Sequence, residues 1–171
     1  MKEIISEIQE LSQSIDCIQL NEIIDQICEC NGSFFGIGAG RMGYAVQSFM
    51  MRLKHLGKNA FYISDSNIPS VRKDDLLIIN SSSGETEIVY QYTKLAKKYT
   101  NNIVLLTQNK ESRIGELASN VLVYKKISST QLLKTLCEQF SFILMDHIAQ
   151  SCFEKLGLSI KQVTDNHFNL E

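Results

Sequence analysis

The 171-residue chain has one proline, Pro69, no tryptophan, and three histidines, His55, His147 and His167. With a single proline and nine glycines there is no proline-rich spacer and no glycine-rich linker. Nothing therefore marks a domain boundary, and the length suits one core better than two. A cationic excess is also missing. Seventeen Lys and Arg face nineteen Asp and Glu, a net charge of −2, so no overall field draws the chain to nucleic acid or to an anionic membrane. No apolar run approaches the roughly 20 residues that span a bilayer. The amphipathic start carries acids at Glu3, Glu7 and Glu10 and lacks the apolar core and cleavage site of a secretory signal. These absences predict a cytoplasmic protein with neither a nucleic-acid nor a membrane partner. The five cysteines, Cys17, Cys28, Cys30, Cys137 and Cys152, are odd in number and irregular in spacing. Cys28 and Cys30 lack the second pair of a structural zinc site, so reduced thiols that pack as small hydrophobes are expected, and no metal site.

What is present alternates. Ile4, Ile5, Ile8 and Leu11, then Leu20, Ile23, Ile24 and Ile27, recur at helical spacing, which predicts helices over 2–15 and 19–29. The runs SFFGIG, NAFYIS, DLLIIN, NIVLLTQ and NVLVYK read as five strands. Between and after them, helices are expected over 41–55, 86–98, 112–118, 131–155 and 159–165, with Gly57 and Gly157 as C-terminal stops. Strands alternating with helices give an α/β fold, a parallel sheet flanked by helices in a three-layer sandwich. Right-handed crossovers favour the flavodoxin-like order 2-1-3-4-5. That order opens a crevice between the carboxyl ends of strands 1 and 3, where the two unusual loops of the sequence lie.

The loop after strand 3, SSSGET, runs from strand directly into helix. Its free amides point out of the positive end of a helix dipole, and Ser81, Ser83 and Thr86 add hydroxyl donors. Ser82 and Gly84 let backbone come close. One Ser or Thr suffices for an ordinary helix cap, so three serines before the threonine point to an anion. The loop after strand 1, Gly38-Ala39-Gly40-Arg41-Met42-Gly43, matches G-x-G-x-x-G, and Asp65 ends strand 2 where a ribose-binding acid would sit. A nucleotide-binding Rossmann domain is the rival reading. It leaves SSSGET without a role, whereas a small phosphorylated ligand touching both loops employs each.

The stretches GAGRMG, MRLKHLG, KDDLLIINSSSGET, SRIGELASNVLV and the tail NHFNLE resemble the sugar isomerase (SIS) domain, and within it the 6-phospho-3-hexuloisomerase family. The resemblance runs from about residue 34 to the C-terminus. It implies one SIS-type domain over 1–171, with 1–30 a helical extension packing on the domain or on a neighbouring subunit. It implies interconversion of arabino-hex-3-ulose 6-phosphate and fructose 6-phosphate, a step of the ribulose monophosphate pathway, without cofactor or metal. It also implies a homo-oligomer, tetramer or dimer, whose partner is a small-molecule sugar phosphate. Ser81, Ser83 and Thr86 would hold the phosphate with the amide of Ser82. From the first loop Gly40 is counted with them, and Arg41, read from its place after the glycines, is either a group that neutralises phosphate or an enediolate or an exposed arginine at a helix start. The chain departs from the family where Met42 replaces a serine, where Leu133 and Lys134 stand at a turn that usually reads Pro-x-Gly-Thr, and where DSNIPS replaces a threonine-rich loop.

Moving a carbonyl by one carbon needs a base and a group that polarises the carbonyl. Glu138 falls on an apolar stripe with Phe142, Met145, Ala149 and Cys152. A carboxylate there is costly unless paired or protonated, which suits a general base. The resemblance places a glutamate at this helix position too. It also brings a C-terminal histidine into the site, often from a neighbouring subunit, which here is His167. His55 is either a cation at a helix C-terminus or a group beside the sugar; His147 reads as surface. The helix carries a second stripe, Leu133, Cys137, Phe140, Leu144 and Ile148, and one of the two stripes is expected to meet another subunit. Met42 and the altered helix entry leave open a second alternative, a phosphosugar sensor that binds without turnover.

Overall fold

The computed structural model describes residues 1–170. Five parallel strands form one sheet in the order β2-β1-β3-β4-β5: β1 (Phe34–Gly38), β2 (Ala60–Tyr62), β3 (Leu76–Asn80), β4 (Ile103–Thr107) and β5 (Asn120–Val123). β3 and β4 are buried at every position, as parallel strands covered on both faces must be. Their two-residue period divides the core. Leu76, Ile78, Val104 and Leu106 face one layer, and Leu77, Ile79, Ile103 and Leu105 face the other.

The first layer holds α1 (Lys2–Gln13), α2 (Cys17–Glu29), α3 (Gly40–His55) and α5 (Thr135–Lys155); the second holds α4 (Glu87–Ala96). A short α6 (Ile160–Asp165) follows. Asp16 caps α2 by accepting from the amide of Ile18 at 2.8 Å. Leu11, Ile23, Ile24 and Ile27 then join the core with α3 and α5. Each such side chain contributes about 1.5–3 kcal/mol, so the two helices are part of this layer and not an appendage. Gly57 and Gly157 take positive φ just past α3 and α5, as expected of helix stops.

Several expectations are corrected. The second stripe of α5 does not face outward. Cys137, Phe140, Leu144 and Ile148 are buried within the chain, because α1, α2 and α3 all pack on α5. Phe142, expected on the buried stripe with Glu138, is exposed. α5 begins at Thr135 and not at 131, so Leu133 lies outside the helix, with φ of 53°. The 112–118 segment is a series of turns rather than a helix, and β2 is three residues long.

Candidate functional site at the carboxyl ends of β1 and β3

Gly38 pairs with Asn80 at the ends of β1 and β3, so both loops begin side by side. In the first, the glycines serve packing. A Cβ on Gly38 would come within 2.9 Å of the Gly43 Cα, and one on Gly43 within 2.6 Å of the Tyr62 hydroxyl, which donates to the Gly38 carbonyl at 3.0 Å. The close approach of α3 to β1 thus accounts for two of the three fingerprint glycines. Gly40, at φ of 54° with nothing near its missing side chain, faces open space. Asp65 accepts from the Tyr62 amide at 2.9 Å and closes its own turn. The residues behind the dinucleotide reading therefore have local structural roles.

In the second loop, Ser81 is buried and its Oγ accepts from the Gly84 amide at 3.2 Å, with Thr86 Oγ1 3.5 Å away. The Ser83 hydroxyl accepts from the Glu85 amide at 3.2 Å. Carbonyls of the loop point back into the protein. Ser82 O receives the Gln108 amide at 3.0 Å, and Gly84 O the Ile114 amide at 3.2 Å. Among the described residues the amides of Ser82, Ser83 and Thr86 find no acceptor, and Thr86 begins α4 without a side-chain cap. Gly84 is obligatory: its φ is 66°, and a Cβ would meet Ser112 Oγ at 2.0 Å. Arg113 braces the loop, contacting the Glu85 carboxylate at 2.7 Å and Glu87 at 3.0 Å while lying over the Tyr90 ring. Its hydrogen bonds hold the Glu85 carboxyl below its usual range, Gln91 first and then Arg113 do so for Glu87, and its charge offsets acids that would otherwise oppose an anion.

Glu138 lies in the first turn of α5 and is largely buried, 16% exposed. It is not an isolated carboxylate in an apolar stripe. Its Oε2 is 2.8 Å from Nε of Arg41, whose side chain is 61% exposed. The floor beneath this pair is polar and sealed. Asn80 donates to the Met42 carbonyl at 3.0 Å, and Ser141 donates to the Cys137 carbonyl at 2.7 Å with Asn80 Oδ1 3.1 Å away. Met42 turns its sulfur toward these two groups. Position 42 therefore faces the core. Asn80, Ser141, Tyr62 and Arg113 escaped the sequence reading. A lone Asn closing an apolar strand was the one visible signal among them.

The histidines are elsewhere. His55 ends α3, fourteen residues beyond Arg41, hence about 21 Å along the helix. It is 7% exposed, its ring centroid is 4.9 Å from that of His167, and burial first, then His167 and Arg52, push its pKa down. A buried imidazole of lowered pKa is not the cation imagined for that helix end, nor does it stand beside the loops. His167 is exposed, near a cavity of about 380 Å³ lined by Arg52, His55, Asp146, Phe153 and Val163. The chain does not bring His167 to its own Glu138. His147 is exposed, as expected.

The SIS domain family model matches residues 27–145. A Methanocaldococcus jannaschii protein named 3-hexulose-6-phosphate isomerase is 32% identical over 152 residues, covering 89% of this chain and 84% of its own length. A Bacillus subtilis protein of the same name is 32% identical over 181 residues, covering 99% and 96%. Among solved structures, a Methanococcus jannaschii protein with the inferred molecular function of 3-hexulose-6-phosphate isomerase superposes with a TM-score of 0.88 at 30% identity, covering 99% and 98%. The chain belongs to the SIS domain family.

Proposed function

We propose that this protein isomerises a phosphorylated keto sugar, converting arabino-hex-3-ulose 6-phosphate to fructose 6-phosphate without a cofactor, in the cytoplasm and within the ribulose monophosphate pathway. The whole chain, 1–171, acts as one SIS-type domain. The observation that carries the reading is a largely buried carboxylate, Glu138, held at the same sheet edge as the unpartnered amides of Ser82, Ser83 and Thr86. A phosphate dianion suits those amides, at the N-terminus of α4. Ser81, Ser83 and Thr86 add hydroxyls. Gly40 leaves the rim open for the sugar.

With the phosphate seated, Glu138 takes the proton from C2, and the electrons of that C–H bond move to the C3 carbonyl, giving a 2,3-enediolate. Arg41 neutralises the phosphate on the amides, and His167, as proton donor, meets the developing oxyanion. Glu138 returns the proton to C3, while the C2 hydroxyl loses its proton as the carbonyl forms there. His167 relays the oxygen-bound proton. As its ring neighbour His55 stands about 21 Å along α3 from Arg41, the partner of Glu138, it does so in a neighbouring subunit. His55 supports that histidine by ring contact.

Supplying the 3-hexulose 6-phosphate and following fructose 6-phosphate tests the reading. Glu138→Gln should lower kcat by about 10²–10⁴-fold, the range for loss of a general base. Unchanged turnover would remove Glu138 from the mechanism, and binding without any turnover in the wild type would make the protein a sensor.

A further inference from the structure

The Arg41–Glu138 pair is unequal. The carboxylate is mostly inside and the guanidinium mostly in water. One contact, Nε to Oε2, joins them, and a guanidinium has five N–H donors, so its outer edge remains available. The Arg41 side chain is 61% exposed, so it can swing through solvent. β1 and β3 are adjacent, with Gly38 opposite Asn80 and neighbouring strands about 4.8 Å apart. Arg41 and the free amides of Ser82 and Ser83 thus stand on the two loops that leave these paired strand ends.

We infer that Arg41 is a gate on the base: it holds Glu138 while the site is empty and passes to the substrate's phosphate when that group settles on the Ser82 and Ser83 amides. The inference rests on the isomerase reading above. A phosphate monoester carries about −1.5 to −2 charges and three acceptor oxygens, against one charge and two oxygens for a carboxylate. The planar guanidinium also grips phosphate in bidentate fashion. The guanidinium is already mostly in water, so the cost of the exchange falls on the largely buried carboxylate that loses its partner, and the phosphate contacts offset it. Once released, Glu138 is a largely buried carboxylate whose oxygens are free to take the substrate proton. The phosphate thus does more than anchor the sugar. A ligand without it leaves Arg41 in place and the base occupied, so the site selects phosphorylated sugars at the proton-transfer step as well as at binding.

Splitting the substrate separates the two effects. In D2O, deuterium entering C3 of fructose reports proton abstraction by Glu138, and phosphite dianion supplies the missing anion. Wild type should exchange fructose slowly alone and at least about tenfold faster with saturating phosphite, near the scale of one strong charge-assisted contact. Arg41→Gln should exchange fructose alone faster than wild type does, and gain less from phosphite. Slower exchange of fructose alone by Arg41→Gln, or equal activation of both proteins, would overturn the gate. A crystal soaked in inorganic phosphate gives a second reading, independent of rate. Arg41 should leave Glu138 for the anion, and an intact pair beside a phosphate on the Ser82 and Ser83 amides would refute the transfer. Turnover of fructose 6-phosphate by wild type is the control. If it fails, the isomerase reading falls; if it succeeds without phosphite activation of fructose, only the gate does.

Discussion

At the scale of single residues, His55 shows how burial changes what a side chain can be. Its ring is nearly sealed at the end of α3, and desolvation, with His167 and Arg52 nearby, lowers its pKa below the ordinary value. The unfolded chain therefore takes up a proton at His55 near pH 6.5 before the folded one does. Unfolding then binds protons, and stability falls as pH drops below about 6.5, the contribution being fully present above it. Thermal melts between pH 7.5 and 5 should show the wild type losing more Tm on acidification than His55→Phe, whatever the variant's starting stability. Parallel slopes for the two proteins would mean that His55 is not the group responsible. The site depends on the same principle, since Glu138 is tolerated inside because Arg41 meets it.

Among the elements, the entry to α5 is the least settled. Leu133 is 99% exposed with φ of 53°, and Lys134 starts the helix without a side-chain cap. A left-handed conformation costs a non-glycine residue about 1–2 kcal/mol. Glycine returns about 0.4–1 kcal/mol of that through the entropy of its unfolded chain. Leu133→Gly should thus stabilise by about 0.5–1 kcal/mol, a rise in Tm of about 1–4 °C for a chain of this length. No rise, or a fall, would show that the exposed leucine is held by a contact in the assembled protein. This stretch also marks the limit of what sequence alone reveals. LLIIN and IVLLT are legible as buried strands because four consecutive apolar residues in each admit little else, and SSSGET is legible because no cap needs so many hydroxyls. The start of α5 is not, since 131–134 continues an apolar pattern while no capping residue says where the helix begins. Arg41 meeting Glu138, 97 positions along the chain, and Asn80 meeting Ser141 are products of crossovers and carry no local signal. Which of the two α5 stripes is covered within the chain was not legible for the related reason that periodicity reports how wide an apolar face is and not which neighbour covers it.

For the whole molecule, two surfaces remain to be covered, and they differ. On α4 and just beyond it, Ile88, Tyr92, Leu95 and Tyr99 recur at helical spacing and are all exposed, beside an apolar cavity of about 330 Å³ lined in part by Phe35, Ile63 and Val71. Next to this stripe, charge runs from Glu87 at the start of α4 to Lys94 and Lys98 at its end. A second copy packed by a two-fold axis sets each acid against the other copy's lysines, so the stripe suits itself. On the opposite layer, His167 and the His55 cavity sit at the wrong end of α3 for their own site. Two unlike surfaces are what a tetramer with two-fold axes requires. Light scattering should give a four-chain mass for the wild type and a smaller one for Tyr92→Lys combined with Leu95→Lys; an unchanged mass would discard the stripe as an interface. The other surface is tested by complementation. Glu138→Gln and His167→Asn should each be inactive alone. Unfolded together and refolded, they should regain up to about a quarter of wild-type activity, since half the chain pairs are mixed and one of the two shared sites in each is intact. If no activity returns although mixed oligomers form, Glu138 and His167 do not act across a subunit boundary.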